Sequence, residues 1–333
     1  MRKDELDLKN FFVLILTVSL CFMFVACGGA QDQSAVPPVE NEYRLGFSVL
    51  PSKVGEDVSF KAVFAAVITD TNGKIVKCVV DEVDASPDMN DFSESIGKEF
   101  PSKNALGAEY GMASASPIGK EWSEQAKAFA DYCKGKTVKE LEQSLGADGK
   151  IADLQSSCTI YSDTLVQCVK AACQNATDTF TAVGEVFLGM YAYCVMSASS
   201  VPATAAENGT AMFSCEMAAT VSNADGRVYK AYIDEIESNV HFNNDGASIE
   251  DPETVPVSKQ TLGKNYGMAG ASSIGKEWNQ QADALADFCK GKTASEINGA
   301  VGADGKVADL SSSCTIHAKS YTNAVIKALS NAK

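Results

Sequence analysis

The spacing of hydrophobic positions changes from strand-like to helical along this chain, and does so twice in the same order. Short runs of β-branched and small apolar residues surround Ala65-Ala66-Val67-Ile68 and Ile75-Val76, and again Ala218-Ala219-Thr220-Val221 and Val228. Each pair of runs is split by Asn72-Gly73 or Asp225-Gly226, whose residues supply the positive φ of a tight hairpin, so each predicts two antiparallel strands. Leu45-Gly46-Phe47-Ser48-Val49 and Leu188-Gly189-Met190-Tyr191-Ala192 predict a further strand upstream of each hairpin. The pattern then turns helical. Trp122, Ala126, Phe129 and Ala130 share one face, with Ser116-Pro117 as cap and first helical position and Gly135 as the stop. The second stretch has Ser272 as cap and Ser273 in place of Pro117. Thr137 with Glu140, and Thr293 with Glu296, spell capping boxes for a short helix ending at Gly146 or Gly302. After a Gly-Ala-Asp-Gly-Lys turn and a short strand, a third helix is predicted over 162–174 and over 318–331. Strands first and helices later predict an α+β fold, with an antiparallel sheet and three helices in each of two tandem units.

The doubling is written into the residues as well as the pattern. Leu106 to Ile160 recurs without a gap as Leu262 to Ile316, with roughly two-thirds of positions identical, which marks an internal repeat. Shared phrases include Tyr110-Gly111-Met112 and Tyr266-Gly267-Met268, Gly119-Lys120-Glu121-Trp122 and Gly275-Lys276-Glu277-Trp278. The expected division is a leader over 1–26, a tether over 27–42, a first module over 43–176 and a second over 177–333.

Arg2, Lys3 and Lys9 precede an apolar run from Phe11 to Ala26 that is short for a membrane span. The run ends Val25-Ala26-Cys27-Gly28, which resembles a bacterial lipobox. That resemblance implies cleavage before Cys27 and lipid attachment to its sulfur; the alternative is an ordinary secretory signal or an uncleaved anchor. An acylated Cys27 would hold the chain to a membrane, facing the extracytoplasmic side. Residues 28–42 lack apolar pattern and carry Pro37-Pro38, as a tether does. The formal charge is −15, and the leader's three basic and three acidic residues cancel, so the mature chain keeps all of it. Such acidity speaks against nucleic acid and anionic lipid headgroups as partners.

With Cys21 in the leader and Cys27 on lipid, nine of eleven cysteines remain. Cys133 with Cys158, and Cys289 with Cys314, recur at equal separation in both copies. In an oxidising compartment each pair is an expected disulfide worth about 3 kcal/mol; buried free thiols are the alternative. Cys78, Cys168, Cys173, Cys194 and Cys215 have no repeat partner. Trp122 and Trp278 read as core, with Lys120-Glu121 and Lys276-Glu277 as a solvated face beside them. His241 and His317 are not repeat-equivalent, which excludes a histidine machinery shared by both copies. No metal-ligand spacing appears.

Asp153-x-x-Ser156-Ser157-Cys158-Thr159, and its copy from Asp309 through Ser312 to Thr315, lead into helices of similar pattern. This phrase resembles the end of the FMN-binding domain family, as does the Asn72-Gly73-Lys74-Ile75 hairpin. The resemblance implies that Thr159 and Thr315 accept FMN through a phosphoester bond made by a flavin transferase. It also implies that Asp153 and Asp309 stand as the leading acids, and Ser156 and Ser312 as the hydroxyls. Serine and cysteine replace the family's glycine and alanine. Independently, hydroxyls and N–H groups gathered before a helix start predict an anion site or, equally, a plain helix cap. Two functions stay open: an extracytoplasmic FMN carrier relaying electrons between redox partners, or a non-catalytic binding or structural module. Both readings describe a carrier or binding protein more than a turnover enzyme, and enzyme status stays open with them.

Overall fold

The structure is a computed structural model that describes residues 39–55 and 57–333. The leader, Cys27 and most of the tether lie outside the described residues. In strand β2 (Phe60–Asp70) successive side chains alternate between two apolar environments. Phe60, Ala62, Phe64, Ala66 and Ile68 enter one core, while Val63, Ala65 and Val67 enter another. A strand buried on both faces belongs to a sheet covered on both faces, and this explains why these runs lack polar alternation.

Strands β1 (Glu40–Pro51) and β3 (Ile75–Ala85) flank β2. Further along come helix α1 (Phe92–Ser95), β4 (Glu99–Pro101), α2 (Lys103–Leu106), α3 (Trp122–Cys133), α4 (Val138–Ser144) and α5 (Ser162–Asn175). The second half runs β5 (Thr179–Val183), β6 (Phe187–Met196), β7 (Gly209–Ser222), β8 (Val228–Phe242), α6 (Lys259–Leu262), α7 (Trp278–Cys289), α8 (Ala294–Gly299) and α9 (Ala318–Ser330). The class is α+β, as the order of patterns predicts. Two antiparallel sheets form, ordered β3-β2-β1-β5 and β4-β6-β7-β8. Each therefore takes one short edge strand from across the chain: β5 follows α5 yet pairs with β1, and β4 precedes α2 yet pairs with β6. Short runs of three and five residues carry too little pattern for that exchange to be read from sequence.

The sheets stack face to face on a shared core holding Phe47, Phe64, Met190, Phe213 and Met217. Aromatic pairs cross the gap, with ring centroids 5.0 Å apart for Phe47–Tyr232 and 6.4 Å for Phe60–Phe213. The outer face of the first sheet is covered by α3 and α5, and that of the second by α7 and α9. The layers run helix, sheet, sheet, helix.

Both hairpins form where expected. Asp70 Oδ1 accepts the N–H groups of Asn72 and Lys74, and Asn223 Oδ1 those of Asp225 and Arg227. The Thr137 and Thr293 capping boxes are present; α4 stops at Ser144 and α8 at Gly299, short of Gly146 and Gly302. The first long helix departs from expectation. It begins at Trp122, because Ser116 to Gly119 close a separate turn and the Glu121 N–H bonds to Glu124 Oε2 at 2.9 Å. The second copy repeats this with Glu277 and Gln280 at 3.0 Å. Glu121 is thus no solvated-face residue: its carboxylate accepts the N–H groups of Met112 and Ala113 at 2.9 and 3.1 Å.

Gly46 on β1 and Gly189 on β6 let a helix reach the strand backbone. A Cβ at Gly46 would fall 1.9 Å from the Ala172 carbonyl oxygen, and one at Gly189 would fall 1.8 Å from that of Ala328. Backbone cannot yield to such contact, so α5 or α9 would have to lift. Gly46→Ala and Gly189→Ala are each expected to cost about 3 kcal/mol, read as a lower urea midpoint at unchanged m. A loss below 1 kcal/mol in both would contradict the packing.

Candidate functional site

Two buried polar arrangements recur in both halves, and the second carries the marked threonines. The first starts from an Asp-Glu pair on the last long strand, Asp81-Glu82 on β3 and Asp234-Glu235 on β8. Asp81 Oδ1 accepts the N–H groups of Glu82 and Asn104, and Asp234 Oδ1 those of Glu235 and Gln260. Burial nevertheless pushes both carboxyls up to about 6. Beside them Lys103 bonds Glu82 at 2.7 Å, and Lys259 bonds Glu235 at 2.7 Å and Glu237 at 2.9 Å. Each ammonium also lies over a Tyr and a Trp. The ring centroids are 4.9 Å away at Tyr110 and 5.7 Å at Trp122, then 5.0 Å at Tyr266 and 5.5 Å at Trp278. Burial works against the Lys259 charge, but Glu235 and Glu237 overcome it and hold its pKa above the ordinary lysine range. The tryptophans are core, as expected, at 3% and 2% exposed. Lys103 and Lys259 were missed in the sequence, although Ser102-Lys103 and Ser258-Lys259 repeat just upstream of the near-identical segment.

The second arrangement holds the threonines. Gln125 on α3 and Gln281 on α7 are fully buried. Gln125 Nε2 donates to Ser116 Oγ at 3.1 Å and to the Lys120 carbonyl at 2.9 Å. Its Oε1 is thereby turned to Thr159, accepting the backbone N–H at 2.8 Å and the hydroxyl at 3.0 Å. Gln281 does the same for Thr315, at 2.7 and 3.1 Å, with Ser272 and Lys276 fixing its amide. Each threonine hydroxyl spends its only proton on glutamine, so its lone pairs face away from the core. The repeated Ser-Gln-Thr triads also explain Ser116 and Ser272, which the sequence offers as helix caps.

The structure gathers the other sequence-marked residues on the same loops. Asp153 and Asp309 sit in one-turn 3-10 helices, Ala152–Leu154 and Ala308–Leu310, with exposed carboxylates. Tyr132 Oη donates to Asp153 Oδ2 at 3.3 Å. Ser156 and Ser312 are exposed, and Thr159 and Thr315 half-buried. At the second copy a cleft of about 340 Å³ opens, lined by Gly302, Asp304, Lys306, Ser311, Cys314 and Thr315 among others. That volume is within the range of small-molecule sites, roughly 300–1,000 Å³. Near the first copy Tyr161 stands 67% exposed, its ring 5.6 Å from Lys150 Nζ.

An anion held by backbone alone is not what these loops offer. The N–H groups of Ser162 and Asp163 at the start of α5 bond the Gly149 carbonyl, and Ala318 N–H bonds that of Gly305. Thr159 and Thr315 N–H groups are spent on glutamine. The side-chain donors lining the cleft are Lys306 and Ser311, with the Asp304 carboxylate beside them, while Thr315 offers only its oxygen lone pairs.

The expected disulfides need correction. Cys133, Cys158, Cys289 and Cys314 are free and buried. Cys133 faces Cys78 across the α3–β3 contact, whereas the Cys158 sulfur accepts the Ile160 N–H. Cys289 bonds its own helix at the Leu285 carbonyl, and Cys314 accepts the Ile316 N–H. Equal spacing in the two copies preserved burial, not a bond. Among the described residues no cluster of His, Cys, Asp and Glu could hold a metal, and no helix is long and apolar enough to cross a membrane.

No protein-family model and no solved structure matches the chain. Part of it is similar to a chlorophenol reductase of Desulfitobacterium hafniense, 35% identical over 91 residues. The match covers 23% of this chain and 28% of that protein's own length.

Proposed function

We propose that the chain is an exported, lipid-anchored carrier that holds flavin mononucleotide at Thr315, and by repetition at Thr159, to relay electrons between redox partners. The observation that carries this reading is the cleft of about 340 Å³ with Thr315 in its wall. This is the position at which the resemblance places the attachment oxygen. Lys306 and Ser311 would meet the phosphate, and Gln281 would keep the Thr315 oxygen lone pairs turned toward it. When bound, the flavin supplies the one- and two-electron chemistry, and the protein supplies position and shielding. Similarity to a protein named as a reductase supports a redox setting, and the lipobox-like Val25-Ala26-Cys27-Gly28 supports the anchor.

A second reading rests on the same triads. With the N–H and O–H of both threonines already engaged by glutamine, the loops are complete as plain structure, as in a module that binds or scaffolds without flavin.

One preparation separates the two. The full chain, produced in a host with a compatible flavin transferase and extracted from membranes, is expected to carry a lipid adduct at Cys27. It should also show flavin absorbance that survives denaturation and one FMN mass per occupied threonine, both lost in Thr159→Ala/Thr315→Ala. A colourless chain that also fails to bind added FMN would sink the carrier reading.

A further inference from the structure

Strands β6 and β7 pair antiparallel with Cys194 directly opposite Cys215. Along such a ladder, hydrogen-bonded and non-hydrogen-bonded pairs alternate. Just past the end of β6, the Ser197 N–H donates to the Met212 carbonyl at 2.7 Å, and the register sets those residues opposite one another. Three steps back, Cys194–Cys215 is therefore a non-hydrogen-bonded pair. Met196 agrees: it shares the parity of Cys194, and its N–H turns away from β7, to the Lys98 carbonyl at 3.1 Å. Pairs of this kind hold their Cα atoms about 4.5 Å apart, inside the roughly 4.4–6.8 Å window that a disulfide spans. Both side chains are fully buried in the core between the sheets, as free thiols facing one another across the ladder.

The repeat gives an independent indication. Aligning Gly46 with Gly189, and Asp70 with Asn223, matches Cys194 and Cys215 to Pro51 and Ala62. These also face one another, across β1 and β2. Two facing positions thus both carry cysteine in one half and neither does in the other.

We infer that Cys194 and Cys215 close as a cross-strand disulfide at the centre of the molecule. Two S–H bonds break and one S–S bond forms. The two electrons and, through thiolate exchange, the two protons pass to an oxidised thiol-exchange donor whose own disulfide opens to two thiols. Since neither sulfur reaches solvent in the folded chain, exchange takes place before the sheets close on one another, and the finished bond is shielded from reductant. An oxidising compartment comes from the export reading, so in the cell the inference rests on it.

Two preparations keep those claims apart. In the first, the full chain with its leader is acid-quenched at lysis, denatured, alkylated without reductant, digested and mapped by mass. In the second, leaderless chain made in a reducing cytoplasm is incubated with glutathione disulfide across a urea series that spans unfolding, then mapped in the same way. The expected result in both is one linked species carrying Cys194 and Cys215, lighter by two hydrogens than its parts and separated by reduction. Linkage with glutathione but not in the cell upholds the pairing and removes the export reading. Recovery of Cys194 and Cys215 singly alkylated in both preparations overturns the inference.

Discussion

Lys259→Met is expected to destabilise the chain by about 3–5 kcal/mol, the cost of stranding a buried charge whose partner has been removed. Lys259 and Glu235 side chains are each only 6% exposed, and Glu235 also accepts from Tyr321 Oη and, on its other oxygen, from Ser214 Oγ at 2.8 Å. Directly across the ladder from Glu235 stands Glu216, so without the ammonium two carboxyls face one another in low dielectric. Lys103→Met should cost much less, since its partner Glu82 keeps 24% side-chain exposure and water can solvate it. Urea unfolding at pH 7.5 reads both. Lys259→Met/Glu235→Gln should recover much of the loss, because an amide needs no counter-ion. Equal small losses in the two lysine variants would refute the assignment of the stronger pair to the second half.

Lowering the pH from 8 to 5 is expected to stabilise the protein. Burial lifts the Asp81 and Asp234 carboxyls from an ordinary 3.8 to about 6. Burial and the charge of Glu235 lift Glu216 from 4.5 to about 7. A carboxyl with a raised folded pKa keeps a proton in the native state that the unfolded chain releases. Its penalty is therefore absent below about pH 4, grows as pH rises from there, and is complete above about pH 7. Each such group accounts for about 3 kcal/mol at most. The formal charge of −15 acts in the same direction, because protonation relieves self-repulsion. The check is the urea midpoint at pH 5, 6, 7 and 8, with Glu216→Gln flattening the upper part of the curve. A midpoint that rises with pH would refute the burial of these carboxyls as charged liabilities.

Much of the fold was legible because its signals are local. A positive-φ glycine in a hairpin and a threonine three residues before a glutamate act within one turn of chain. The hairpins and the α4 and α8 starts accordingly fall where they were expected. Ser116 misled for the same reason: next to a proline it has the look of a cap, but its hydroxyl serves Gln125 nine residues on. The candidate site was legible as a phrase around Thr159 and Thr315 and illegible as a geometry. Nothing within the phrase points to Gln125 or Gln281, 34 residues earlier, which orient the hydroxyls.

The amino-acid order determined the class, the doubling, the hairpins and the loops that bear the threonines, since each depends on neighbours a few residues apart. Tertiary structure alone decided the partners. It set Cys133 against Cys78 and Cys194 against Cys215, brought Lys259 onto Glu235, and exchanged β4 and β5 between the sheets. Those pairings depend on which faces meet when two sheets covered by helices stack, and spacing along the chain carries no record of that.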